Sequence, residues 1–400
     1  MTSTEVPWPI RPFSEVADYG VGKTPARANA AYWAKSDYDI PWVSISDLQP
    51  YGVVTGTKET ISRRAFDHVF RGRLVPAGTL LMSFKLTIGR VATLGVPAAH
   101  NEAIISIYPR SGMDQRFLAY FLSQYNYAEL QDRQIKGNTL NKSKIDRIPV
   151  PVPPEAEQRA VADVLDNLRR AIDLQERALN KLAQIKVAAM QQVFARGLRG
   201  DAQVETEIGP IPESWKIGPL GDLALFQRGF DITKSAQAED GTVPVVSSGG
   251  VKSFHDVAAV SGPGVVIGRK GSIGSVHYVD SDYWPHDTTL WCKDFRGNLP
   301  KFVFYRLQLV DMKRLDSGAA NPALNRNFLH AEVISWPDVD EQQEIVRVLE
   351  AIDCNIELHR RKRRVLDQLF ESLLHKLMTG EVLVDDLDLS ALPSIDGNAA

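Results

Sequence analysis

The stretch Glu157-Gln158-Arg159-Ala160-Val161-Ala162-Asp163-Val164-Leu165 opens a run that reaches Phe194 without a proline or a glycine, and the run occurs twice. Its second copy opens at Glu341-Gln342 and ends at Met378, each position 184 residues later with no gap. Val161, Leu165, Leu168, Ile172, Gln175, Leu179, Leu182, Lys186, Ala189 and Val193 step by four and three in turn. That spacing keeps one stripe on one face of a helix, so each run predicts a long helix with a heptad seam. In the second copy Ile345, Leu349, Ile352, Ile356, Leu366, Phe370, Leu373 and Leu377 hold the stripe, with His359 and Arg363 at the places of Gln175 and Leu179. Two such helices can bury their stripes against each other, and polar residues in the seam fix register at some cost in stability. The alternative is that each helix packs separately on its own domain.

The repeat extends beyond the helices. Trp8, Pro12, Phe13, Glu15 and Ala17 match Trp215, Pro219, Leu220, Asp222 and Ala224 at a shift of 207. Each opening leads into a region rich in short β-branched runs broken by Gly and Pro, as mixed α/β or α+β domains are. Leu80-Leu81-Met82-Ser83-Phe84-Lys85 followed by Ile88-Gly89-Arg90-Val91 reads as a buried strand, a tight turn carrying basic residues and a returning strand. Val265-Val266-Ile267-Gly268-Arg269-Lys270 followed by Ile273-Gly274-Ser275-Val276 reads the same way. A helix is expected over residues 115–131 and again over 300–313. Each unit closes on a matching segment, Asn138-Thr139-Leu140-Asn141-Lys142 or Pro322-Ala323-Leu324-Asn325-Arg326, then an apolar strand (148–152, 333–336) and a proline stop.

Four hundred residues with 44% hydrophobic content allow two or three cores. The net charge of −3 rules out a polycation. Residues 1–150 carry 18 Lys and Arg against 13 Asp and Glu, residues 201–336 carry 13 against 16, and residues 337–400 carry 7 against 14. Cys292 and Cys354 give no disulfide framework and fit a reducing compartment. Met1-Thr2-Ser3-Thr4-Glu5 lacks the pattern of a signal peptide, and no apolar segment approaches the ~18 residues of a membrane span. The expectation is a soluble cytoplasmic protein with no membrane association.

In Ile211-Pro212-Glu213-Ser214-Trp215, Leu220-Gly221-Asp222, Gly268-Arg269-Lys270-Gly271-Ser272-Ile273-Gly274, Trp284-Pro285-His286-Asp287-Thr288-Thr289, Leu324-Asn325-Arg326 and Asp340-Glu341-Gln342 the sequence resembles the specificity (S) subunits of type I restriction-modification systems. The duplicated order carries that likeness over nearly the whole chain. The first unit departs from it in having Ser83-Phe84-Lys85-Leu86-Thr87 where the second has Gly268-Arg269-Lys270-Gly271-Ser272. The resemblance implies target recognition domains that each read half of a split double-stranded DNA sequence, and long helices that pair antiparallel as a spacer and dock two methyltransferase subunits. It also implies restriction and translocase subunits as further partners. S-adenosylmethionine, ATP and Mg belong, on this reading, to those partners, and this chain needs no cofactor.

The expected organisation is therefore α/β (α+β), with two tandem globular target recognition domains separated by two long helices in an antiparallel coiled coil, a pseudo-twofold repeat. Its parts are residues 1–150 (first recognition domain), 151–200 (first spacer helix), 201–336 (second recognition domain), 337–384 (second spacer helix) and 385–400 (an acidic, disordered tail). Some 40 helical residues at about 1.5 Å rise span roughly 60 Å, one to two turns of B-DNA.

Lys85 and Arg90 in the first unit and Arg269 and Lys270 in the second sit at Gly-marked turns and are the leading DNA-facing candidates, followed by Lys23, Lys142, Arg228 and Arg326. For each, a solvated turn residue is the competing reading. Asn141 and Asn325 fit turn formers better than adenine readers. Gln175, Lys186, His359 and Arg363 interrupt the seams and are candidate partner contacts. Arg360-Arg361-Lys362-Arg363-Arg364 would point all round a helix, which fits a face paired to acidic residues. His286-Asp287 and His100-Asn101-Glu102 are isolated pairs, the glycine-rich turn lacks phosphate-loop spacing, and Pro153-Pro154-Glu155 lacks the aromatic of an amino-methyltransferase motif. No catalytic or metal residue is assigned. The reading is a non-catalytic DNA specificity subunit, against a scaffold that bridges protein subunits without reading DNA, or an enzyme centred on His286 and Asp287.

Overall fold

The computed structural model describes residues 8–33, 39–130, 140–233, 241–315 and 322–388. Two compact units emerge. Met1–Leu174 with Arg363–Ala400 forms one, and Gln175–Lys362 forms the other. Each comprises a globular part and half of each long helix, where the sequence suggested five consecutive segments.

The long helices run over Glu155–Arg196 and Val339–Thr379. Glu155 and Glu157 in one first turn, and Asp340 and Glu341 in the other, complement the partial positive charge of a helix N-terminus. Both helices stop at a glycine in the left-handed conformation, Gly197 at φ 66° and Gly380 at φ 69°, where a residue without Cβ lets the chain turn back.

In the first unit a five-stranded sheet has the order Ala17–Val21, Ile104–Pro109, Leu80–Ser83, Val91–Leu94, Gly52–Val54. All neighbours are antiparallel except the last pair. A smaller sheet places Ile40–Val43 between Glu59–Ile61 and Ala99–His100. Helix Gln115–Gln124 lays Phe117, Leu118, Phe121 and Leu122 into a core shared with Val161, Leu165, Leu168 and Ile172 of the first long helix and Phe370, Leu374 and Leu377 of the second.

The second unit repeats the plan. Leu225–Arg228, Thr289–Asp294, Gly264–Gly268 and Val276–Val279 form one sheet, and Val243–Ser247 lies between Gly250–His255 and Trp284–Pro285 in the other. Helix Pro300–Leu307 buries Phe302, Val303, Tyr305 and Leu307 with Met190, Val193 and Phe194 of the first long helix and Ile345, Val346 and Leu349 of the second. The entry and exit strands pair alike in both units: Ile10 faces Pro151 and Pro12 faces Pro149, while Ile217 faces Ser335 and Pro219 faces Val333.

Two expectations need shortening. The helix expected over 115–131 ends at Gln124, because Tyr125 turns extended (ψ 133°), and resumes as a 3-10 turn at Tyr127–Leu130; residue 131 lies outside the described residues. The helix expected over 300–313 ends at Leu307, with a 3-10 turn at Met312–Leu315. In the acidic tail, Val384–Asp386 forms a 3-10 turn, and Val384 and Leu387 pack on the first unit's core. Apolar anchors thus order the start of a segment whose charge suggested none; residues 389–400, like Asn138 and Thr139, lie outside the described residues.

The helix starts are clamped identically. Gln158 is fully buried; its Oε1 accepts from the Asp114 backbone N–H at 2.7 Å and its Nε2 donates to the carbonyls of Gly112 and Pro153 at 2.9 and 2.8 Å. Gln342, also fully buried, accepts from the Leu299 N–H at 3.0 Å and donates to Asn298 Oδ1 and the Pro337 carbonyl at 2.7 and 3.1 Å. A single buried side chain therefore satisfies three polar groups, wholly or partly buried, between a globular part and its helix.

Candidate nucleic-acid interface

The strand–turn–strand elements read from the sequence are present in both units, and their backbones bond alike. In the first, Ser83 N–H donates to the Arg90 carbonyl, Gly89 N–H to the Ser83 carbonyl and Leu140 N–H to the Phe84 carbonyl, each at 2.9 Å. In the second, the same three bonds join Gly268 to Ser275 (2.8 Å), Gly274 to Gly268 (2.9 Å) and Leu324 to Arg269 (2.9 Å). Gly89 and Gly274 stand at φ 82° and 78°, which glycine adopts without strain. Phe84-Lys85-Leu86-Thr87 and Arg269-Lys270-Gly271-Ser272 therefore occupy one backbone frame with different side chains.

In the second unit this frame brings three of the predicted cations together. Arg228, Arg269 and Arg326 line one open cleft with Asn325 and Asn327. Arg269 is positioned from both sides, since its N–H donates to the Thr288 carbonyl at 2.8 Å and its own carbonyl accepts from Leu324. Arg326 is the first residue of helix Arg326–Ala331 and is exposed. Arg228 is held by carboxylates, its Nη2 lying 3.0 Å from Asp231 Oδ1 and 3.2 Å from Asp287 Oδ2. Arg269 and Arg326 have no ion pair among the described residues, so their charges remain available to an anionic ligand. Lys270 is half-buried on the same turn.

In the first unit Lys85 and Arg90 share the corresponding turn. The ammonium of Lys85 lies 5.2 Å from the Phe84 ring centre, and Arg90 Nη1 donates to the Ile45 carbonyl at 3.4 Å. Lys142 is exposed at the first position of helix Lys142–Asp146. Lys23 lies elsewhere: its Nζ donates to the Val69 carbonyl at 3.1 Å beside a cleft lined by Arg73, His100 and Tyr108. Arg73 and Asn327 were not singled out from the sequence; the Arg71-Gly72-Arg73 turn was the available signal for the first, and no sequence signal marks the second.

Asn141 and Asn325 act as helix N-caps. Asn141 Oδ1 accepts from Lys144 N–H at 3.0 Å and Asn325 Oδ1 from Asn327 N–H at 2.9 Å, the turn-forming role expected of them. His286 Nδ1 lies 3.0 Å from Thr288 Oγ1 and 2.9 Å from Asp287 Oδ1, so this pair braces the loop that carries Arg228's partner.

Two of the seam interruptions meet each other within the helix pair, Lys186 meets an acid of the other helix, and Arg363 lies beside an acid of its own. His359 Nδ1 and Gln175 Oε1 are 2.7 Å apart, and Lys186 Nζ lies 2.6 Å from Asp353 Oδ1, which also receives, through Oδ2, the Tyr305 hydroxyl at 2.7 Å. Arg363 Nε is 3.6 Å from Asp367 and Arg361 Nε is 3.2 Å from Glu357, one turn away along the same helix. The helices also expose apolar residues at matching places in the repeat: Leu174 (56%) and Leu358 (47%), and Ile185 (43%) and Leu369 (39%).

A family model described as the type I restriction modification DNA specificity domain matches residues 5–184 and 212–368. The EcoprrI specificity subunit of a type I restriction enzyme from Escherichia coli is 23% identical over 372 residues, covering 88% of this chain and 89% of that protein. The MjaVIII specificity subunit from Methanocaldococcus jannaschii is 24% identical over 309 residues, covering 69% and 72%. The crystal structure of a type I restriction-modification S subunit from M. genitalium shares the fold, with a TM-score of 0.61 at 13% identity, covering 94% of this chain and 97% of that one. Two matched segments, each holding one hairpin frame and one helix start, make this chain a member of the type I restriction-modification DNA specificity domain family.

Proposed function

We propose that this chain is the non-catalytic specificity subunit of a cytoplasmic type I restriction-modification complex, reading a bipartite, asymmetric double-stranded DNA target. The recognition domains are residues 1–150 and 201–336, and each reads one half-site. The observation that carries this reading is the duplicated hairpin frame with divergent tips, Phe84-Lys85-Leu86-Thr87 against Arg269-Lys270-Gly271-Ser272. One scaffold carrying two sets of side chains suits two different half-sites on one duplex. Lys85, Arg90, Lys142 and Lys23 in the first domain and Arg269, Lys270, Arg326 and Arg228 in the second supply the cationic contacts. Phosphate contacts position the protein, and bidentate side chains such as Arg269 discriminate bases.

The partners are two methyltransferase subunits, with restriction and translocase subunits on the same complex. Support comes from the repeated exposed apolar residues of the long helices. Each unit carries one from either helix, Leu174 and Leu369 in the first and Ile185 and Leu358 in the second, so one kind of partner surface can be bound twice. S-adenosylmethionine, ATP and Mg act on those partners. Methylome sequencing of a host with and without this chain tests the reading: one split motif should lose methylation on deletion, and an unchanged methylome would refute it.

A further inference from the structure

Among the described residues, four that are not glycine stand at positive φ: Tyr51, Arg71, Leu86 and Arg296. A side chain with a Cβ clashes with its own backbone there, so such a residue is retained only where something offsets the strain. For Tyr51 the offset is packing, with its ring 5.3 Å from Phe370 and 5.5 Å from Tyr120. Arg296 has its N–H bound by Asp294 Oδ1 at 2.8 Å. Arg71 follows the last turn of helix Arg63–Val69, where the Gly72 N–H donates to the Phe66 carbonyl at 3.1 Å, and Leu86 is held by the hydrogen bonds of its own turn, with its side chain in water. Leu86 stands at φ 63° with 73% of its surface exposed, the most exposed of the large hydrophobic side chains among the described residues.

The backbone at this point asks for glycine. Gly271, its equivalent in the second unit, stands at φ 76° in the same turn. The first unit's turn is locked around Leu86: Ser83 Oγ donates to the Thr87 carbonyl and accepts from the Arg90 N–H at 3.1 Å. The backbone of Leu86 is therefore fixed at the tip, between the cationic Lys85 and the exposed Thr87. An exposed apolar side chain on a fixed turn beside a cation suits a DNA base, where the apolar group available in the major groove is the thymine 5-methyl.

We propose that Leu86 is a specificity-determining residue that reads a thymine methyl in the half-site bound by the first recognition domain. This rests on the DNA-reading function proposed above. The strain remains in the free protein, and the gain comes only on binding, when the side chain leaves water.

The test uses the full chain and a duplex carrying the split site identified by methylome sequencing. Uracil in place of one thymine of the first domain's half-site should weaken wild-type binding about fourfold, the value of one buried methyl. Binding by L86G should be weaker than wild type and indifferent to that uracil, while its unfolding temperature is equal or higher. L86A, which keeps the strain and loses the methyl contact, should show the same indifference without the gain in unfolding temperature. Equal affinity and equal uracil responses for wild type and L86G would overturn the inference and leave the specificity function standing. A lower unfolding temperature for L86G with unchanged DNA preference would assign Leu86 to the fold. A wild type that prefers no split site would overturn both.

Discussion

Gln175 and His359 are the same position in the two copies of the long helix, 184 residues apart, and their side chains meet at 2.7 Å. Two copies of one helix laid antiparallel bring a residue beside its own equivalent only at the midpoint of the pair. The contacts on either side fit that geometry. In the second unit Lys186 meets Asp353, and in the first the guanidinium of Arg169, equivalent to Asp353, lies 5.8 Å from the ring of Phe370, equivalent to Lys186. A half-buried polar pair at the midpoint fixes register, because sliding either helix by one turn breaks the bond and sets His359 against Ile172 or Leu179. Gln175→Ala and His359→Ala should each destabilise the protein by about 1 kcal/mol, with a coupling of ~0.5–1.5 kcal/mol in a double-mutant cycle followed by urea denaturation. Additive effects would show that the pair does not interact.

Gln158 and Gln342 give the second prediction. Each side chain serves one buried and two part-buried partners, so replacement by Ala leaves an N–H and two further polar groups without that partner. Gln342→Ala should cost ~2–3 kcal/mol and speed hydrogen exchange at the Leu299 amide, and Gln158→Ala should do the same at the Asp114 amide. If exchange at these amides is unchanged, the clamp is not what protects them.

These two pairs also show what the sequence could convey. The gapless 184-residue repeat announced both helices, and four-three spacing announced the seam, because helical periodicity is local and leaves its mark in order along the chain. The hairpins were legible for the same reason, being neighbours in sequence. The joining of Arg228 with Arg269 and Arg326 was not, since it depends on strand Leu225–Arg228 pairing with Thr289–Asp294 across sixty intervening residues. Nor was the fate of the seam polars visible. The groups that Gln175 and Lys186 bond, on His359 and Asp353, lie on the other helix, 184 and 167 residues away in sequence. Leu86 was marked only indirectly: its φ is set by the turn, and the signal was Gly271 at the matching place in the second unit rather than the leucine itself.

The cationic cleft of the second unit predicts graded effects. Arg269 and Arg326 carry no ion pair among the described residues, whereas Arg228 is already paired with Asp231 and Asp287. Arg326→Ala should therefore weaken binding to all duplexes and lower the slope of log K against log salt by ~0.9, as loss of one phosphate contact does. Arg269→Ala should cost ~1–3 kcal/mol on the cognate site alone and relax preference at one base pair of the second domain's half-site. Arg228→Ala should have the smallest effect of the three. A uniform response across all three, read by filter binding over a salt series, would contradict the distinction drawn between free and paired guanidinium groups.

His100 makes the first unit sensitive to acid. It is 3% exposed, with its Nδ1 3.2 Å from the Asn101 carbonyl. Burial pushes its imidazole from the ordinary 6.5 down to about 4, against a smaller opposing pull from the carbonyls of Asn101 and Ile104. The folded protein thus holds His100 neutral while the unfolded chain protonates it below about pH 6.5. Its contribution to stability is complete above that pH and is lost as the pH falls toward 4, with a slope approaching 1.4 kcal/mol per pH unit at most. A replacement that cannot titrate removes that slope. His100→Gln should be less stable than wild type at pH 7, with the difference shrinking between pH 6.5 and 4, where wild type loses stability faster. Urea denaturation across that range reads the outcome, and parallel pH profiles for the two proteins would show that His100 does not carry the acid sensitivity.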